Sequence, residues 1–142
     1  MLFRSSPAAT RPDTRPDSRT GRTFRRGALY EVRLHLHADE DAENVLVTSL
    51  LPGGFEAEPG SVAIERDGGV EDDMTPAARI ERRDDRVLVF FTDKVSGDVV
   101  IRHQIRAVFA GTYQQPAAVA EALYLPDLRA ATGPDDPLVI VP

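Results

Sequence analysis

The sequence predicts an all-β domain, an antiparallel two-sheet sandwich of immunoglobulin or fibronectin type, and three observations carry that prediction. Apolar and polar residues alternate with period two over several stretches, no window keeps a helical period, and turn residues punctuate the chain at short intervals. A chain of 142 residues has the length of one domain, and about 100 residues suffice for a sandwich of this kind.

Residues 1–26 read differently from the remainder. Arg11-Pro12-Asp13-Thr14 recurs as Arg15-Pro16-Asp17-Ser18, and prolines among alternating charges without apolar periodicity cannot build a packed element. The segment 1–26 is therefore expected to be a disordered, basic Arg/Pro/Asp-rich tail or linker. A nucleic-acid arm is the second reading of its arginines, but such an arm needs denser charge or interleaved aromatics, and Asp13 and Asp17 dilute it.

The sandwich is expected over 27–142. Val32, Leu34, Leu36 and Ala38 alternate with Glu31, Arg33, His35 and His37, which sets an apolar face against a polar one. A strand over 44–51 is apolar on both faces and stops at Pro52-Gly53-Gly54, which cannot continue a central strand. Residues 55–66 carry a weaker strand, best at 62–66, and 67–77, with Gly68-Gly69 and Pro76, reads as a surface loop. Strands at 78–83 and 86–92 flank an Asp84-Asp85 hairpin turn. Ser96-Gly97-Asp98 is expected to turn the chain into a strand over 99–108, with Val99, Ile101, His103, Ile105 and Ala107 on one face. Short strands follow at 111–114, 119–124 and 138–141; alanine richness alone would also permit a helical turn over 117–123.

Composition removes several functions. The net charge of -6 disfavours general phosphate binding. With no cysteine, the chain holds no disulfide, cysteine nucleophile, thiolate metal site or thioester of its own. Its apolar runs are too short to cross a membrane as a helix. Met1-Leu2-Phe3-Arg4 lacks the apolar core of a secretory signal, which leaves either a cytoplasmic chain or a module of a larger exported polypeptide.

Each candidate site has a plain reading. His35 and His37 share one side of a strand, a spacing seen in zinc sites, but a third ligand is missing because His103 falls on an apolar face; they read as a solvated polar face. His103, between Ile101 and Ile105, reads as a neutral core or rim histidine with one partner. Asp84 and Asp85 are adjacent in a turn, unlike catalytic carboxylates converging from separate elements, so they read as turn formers with Arg86 as an ion-pair partner. No phosphate loop or serine elbow occurs. No catalytic residue, metal or cofactor is assigned, and the chain is not expected to be an enzyme.

Three signals in order carry a family resemblance: Leu50-Leu51-Pro52-Gly53-Gly54-Phe55-Glu56; Arg83-Asp84-Asp85-Arg86-Val87; and Arg106-Ala107, Gly111, Tyr113, Pro116, Glu121-Ala122-Leu123-Tyr124-Leu125-Pro126. Together they resemble the C-terminal macroglobulin-like (tenth) domain of bacterial alpha-2-macroglobulins, over residues 24–142. Leu123 stands where that family usually has methionine, a volume-conserving change, and His103 where tyrosine is common. The resemblance implies a module that supports protease inhibition by packing on and shielding a thioester domain, with Leu123 and Tyr124 as contacts. Its partners would be the thioester-containing body, in cis or in trans, and target proteases indirectly, with no nucleic acid and no membrane insertion. The setting implied is the periplasm or cell envelope. The alternatives are that Tyr124 caps the sandwich core, and that the chain is a structural or adhesive sandwich of the cell surface. A module detached from its body would expose an apolar docking surface, for which 117–125 is the candidate.

Overall fold

The computed structural model describes residues 2–9, 22–66, 69–71, 78–133 and 136–142. With strands numbered in chain order, one sheet runs from edge to edge as β1 (Leu2–Ala9), β3 (Leu29–Ala42), β9 (Val95–Ala107), β5 (Phe55–Arg66) and β6 (Gly69–Glu71). The facing sheet runs β12 (Arg129–Ala131), β11 (Val119–Ala122), β4 (Val45–Leu50), β8 (Arg86–Phe91) and β7 (Ala78–Arg82). A small third sheet of β10 (Gly111–Tyr113), β13 (Leu138–Val141) and β2 (Thr23–Arg25) closes one end. Every pairing is antiparallel except β13 with β2. The expected all-β sandwich is the fold found, and no helix of the described residues is long and apolar enough to cross a membrane.

The alternation read from the sequence is the alternation that packs. Leu34, Leu36 and Ala38 of β3 are buried while the alternating Arg33 and His35 are exposed. Val45 and Val47 of β4, Val87, Val89 and Phe91 of β8, and Val99 and Ile101 of β9 meet them between the sheets. Toward the third sheet a second cluster forms around Phe24, Tyr30, Phe55, Ile105, Leu138 and Ile140. There Phe24 meets Tyr30 edge to face at 4.8 Å and Phe55 at 5.3 Å between ring centroids, the arrangement that ring quadrupoles favour.

Several expectations are corrected. The tail predicted over 1–26 is structured at both ends: β1 pairs with β3 from Leu2 opposite His37 to Ala9 opposite Tyr30, and β2 pairs with β13. The sequence hid β1 because Pro7 breaks its pattern, but proline is tolerated on an edge strand. The repeat at residues 11–18 lies outside the described residues. Ser96-Gly97-Asp98 does not turn the chain; it lies inside β9. Gly97, at φ 64°, pairs with Ala38 where the register shifts: Ala42 pairs with Val95, so the extra residues 39–41 bulge on β3 opposite the glycine. Residues 69–71 of the predicted loop form β6 against β5, while 67–68 and 72–77 lie outside the described residues. The strand expected over 119–124 is found as β11 and stops at Ala122, and the helical turn that alanine richness also permitted is absent there, because pairing on both sides overrides propensity.

Candidate functional site

The β11–β12 hairpin presents the exposed apolar residues of interest, and its construction explains why they stay exposed. Ala118, Ala120 and Ala122 alternate inward and are buried, and their small side chains let the strand lie close to the core. The pairing Ala122 opposite Val45 brings the hairpin end beside the β3–β4 turn. There Asn44 sits at φ 53°, a left-handed position that asparagine tolerates, and its carbonyl accepts a hydrogen bond from the Leu123 amide at 3.1 Å. Within the hairpin, Ala122 N donates to Leu128 O at 2.9 Å, Leu125 N to Ala122 O at 3.1 Å and Leu128 N to Leu125 O at 2.8 Å. Leu128 packs back on the main core.

The backbone is thus satisfied internally, and the side chains of three consecutive apolar residues point away. Leu123 is 45% exposed, Tyr124 78% and Leu125 57%. The alternative in which Tyr124 caps the core is overturned by that exposure. The surface expected over 117–125 is narrowed to 123–125, since 118, 120 and 122 are interior. One further large apolar residue, Phe109, is 62% exposed among the described residues, but its amide bonds to Gly54 O, at the opposite end of the sandwich. Isolated exposed apolar residues are ordinary; a run of three is not.

The remaining candidates fall into place separately. His35 is exposed. His37 lies with Nδ1 2.8 Å from Asp98 Oδ1 and Nε2 3.1 Å from Asp39 Oδ1, and the hydrogen bond with Asp98 does most to raise its pKa. His103 faces the interior, away from both, and the described residues contain no group of three or more ligands that could hold a metal. Asp85 and Arg86 form a two-bond pair at 3.0 and 2.8 Å. That guanidinium holds the Asp85 carboxyl below its ordinary value. Asp84 is an exposed turn residue.

His103 is the buried exception. It is 2% exposed, and its Nε2 lies 3.0 Å from Oγ of Ser49, itself 4% exposed, on the facing sheet. Burial pulls the ring down to about 4; the Gln104 backbone opposes this, and the Arg82 guanidinium adds to it. Sequence reasoning placed His103 inside but missed Ser49 as its partner. The signal was available: Ser49 shares the inward parity of Val45 and Val47.

Comparison with known proteins gives concordant results. The model of the family "Bacterial Alpha-2-macroglobulin MG10 domain" matches residues 4–127. A curated alpha-2-macroglobulin of Escherichia coli is 34% identical over 131 residues, covering 84% of this chain and 8% of that protein. One from Pasteurella multocida is 32% identical over 102 residues, covering 69% of this chain and 5% of that protein. Among solved structures, native Escherichia coli alpha-2-macroglobulin from domain MG7 to the C-terminus superposes with a TM-score of 0.77 at 25% identity, covering 99% of this chain and 23% of that one. The chain thus spans less than a tenth of the curated relatives' length.

Proposed function

The chain belongs to the bacterial alpha-2-macroglobulin MG10 domain family, and from that premise we propose that it is a C-terminal macroglobulin module that packs on, and shields from water, a thioester domain carried elsewhere. In that role it supports protease inhibition and contributes no chemistry of its own. Without cysteine it cannot supply the thioester. The cell envelope, the periplasm in particular, is the setting that goes with this reading.

The observation that carries the proposal is the tip Leu123-Tyr124-Leu125, exposed on a backbone held by its own hydrogen bonds. A thioester survives only where water is kept away. A rigid loop bearing two leucines and a tyrosine supplies apolar area, with a hydroxyl left free for the wetter rim. With its backbone already tied by hydrogen bonds, the tip has little ordering entropy to lose on docking. A structural or adhesive role rests on the sandwich architecture alone.

The test is the rate at which thiol appears from a thioester-containing bacterial macroglobulin body lacking its own MG10 module, with and without this chain. Every thiol detected belongs to the body, since this chain has none. Slower release at saturating chain, lost with Tyr124→Gly, is expected. Equal rates with and without the chain overturn the proposal.

A further inference from the structure

The tip leaves one buried titratable group unused, and its position gives it a task. His103 lies on β9 between Ile101, in the main core cluster, and Ile105, in the second cluster. Its bond to Ser49 joins the central strand of one sheet to the central strand of the other. A cavity of about 20 Å³, room for about one water, touches Ser49 at this junction, with Val32, Leu34, Phe55 and Ile105 in its wall. The packing between the clusters thus leaves a gap beside Ser49, where this polar bridge crosses it.

We infer that the Ser49–His103 bridge is an acid-sensitive latch between the two sheets, closed while the imidazole is neutral and opened when it takes up a proton. In the neutral ring with its proton on Nε2, that N–H donates to the Ser49 hydroxyl and Nδ1 is left a bare acceptor. The protonated ring carries a second N–H, at Nδ1. That atom is buried without a hydrogen-bond partner, and the Gln104 backbone beside the ring favours the charged form without outweighing burial. Protonation thus creates a buried charge and a buried donor with no good acceptor, and both are costly.

The surroundings offer no counter-charge among the described residues. The paired neighbours of His103, Val32 on β3 and Val62 on β5, are uncharged, as is Val87 on β8 beside Ser49. The charged group that acts on the ring is Arg82 of β7, a cation bonded to Gly60 O at 2.7 Å, and it opposes protonation. Gln104 and Arg106 belong to the opposite face of β9, where Arg106 pairs with Glu58.

The consequence reaches the docking tip. β4 carries Ser49 toward one end, pairs with β11 from Val45 to Thr48, and is preceded by Asn44, whose carbonyl holds Leu123. Loosening β4 from β9 loosens the base on which the tip stands.

The sign follows from the depressed pKa. An unfolded histidine titrates near 6.5 and folded His103 at about 4, so between these values the unfolded chain binds the extra proton. Stability from this residue is present above the upper value and is lost as pH falls toward the lower one. His37, with its raised pKa, acts oppositely: its contribution is present below its unfolded pKa and lost as pH rises through the folded one.

The experiment compares urea unfolding of the intact chain with His103→Gln from pH 7.5 to 4.5, which cancels His37 and the carboxylates. Relative to the variant, the unfolding constant of the unaltered chain is expected to rise by up to tenfold per pH unit below about 6. Should the variant not fold, NMR titration of the three histidines in the unaltered chain decides: the His103 ring is expected to stay neutral until native signals are lost. Parallel pH dependence of the two proteins, or titration of His103 near 6.5 with the native spectrum intact, overturns the inference.

Discussion

The β7–β8 turn and the β11–β12 turn close hairpins at opposite ends of one sheet, yet their chemistries are opposed. Around the first, Arg83, Asp84, Asp85 and Arg86 occupy the bend, with Arg83 bonded to Glu81 at 2.7 Å and Arg86 to Asp85. The second carries Leu123, Tyr124 and Leu125 into solvent. Both backbones are equally well tied: Arg83 N donates to Arg86 O at 2.8 Å, as Leu128 N does to Leu125 O. The apolar residues at the second turn are thus not required to reverse the chain. A turn that serves only geometry can be polar, and one that carries bare leucine and tyrosine fits the proposed contact with another surface.

The strongest way to break this comparison is to remove the base under the tip. Ala122, 2% exposed, sits directly below it. Ala122→Asp buries an unpaired charge and is expected to cost about 3 kcal/mol or more, read as a lower urea midpoint. Next comes Gly54 at the other end, where an added Cβ would stand 2.6 Å from Ile140 Cδ1 and against the Tyr113 ring. Gly54→Ala is expected to cost about 1–3 kcal/mol through overpacking, measured in the same way.

A sharper test leaves the fold alone. Tyr124 is 78% exposed, so Tyr124→Gly should change stability by no more than about 0.5 kcal/mol while weakening docking. Asp85→Asn should have the smallest effect. The Asp85 carboxyl is held below its ordinary value by Arg86, so its contribution is present above the unfolded value and lost as pH falls through the folded one. Thermal midpoints of the two proteins should differ slightly at pH 7 in low salt and coincide in high salt, where an exposed pair is screened.

What could be read from the chain divides along the same lines. Strands with one buried face, such as Val32 to Ala38, were legible because alternation is the physical signature of a half-buried sheet. β13 was found at its full extent from four apolar residues. Short edge strands were not: β1 contains a proline, and β12 has three residues with none fully buried. Gly97 looked like a turn because a local reading cannot see the Ala38–Ala42 bulge across the sheet. At the site, Leu123 and Tyr124 were named through family resemblance. Their exposure depended on where β11 stops, at Ala122 instead of Tyr124. Ser49 was overlooked because a bond between sheets joins residues 54 positions apart.

The central claim is that the tip, and not the opposite end, meets the rest of a macroglobulin. The direct measurement is the affinity of this chain for a bacterial macroglobulin body lacking its MG10 module, taken for the unaltered chain, Tyr124→Gly and Phe109→Ala. The account predicts binding that Tyr124→Gly weakens at least about tenfold, as for a buried aromatic anchor, and that Phe109→Ala leaves unchanged. Undiminished binding by Tyr124→Gly, or a loss seen only with Phe109→Ala, would contradict it.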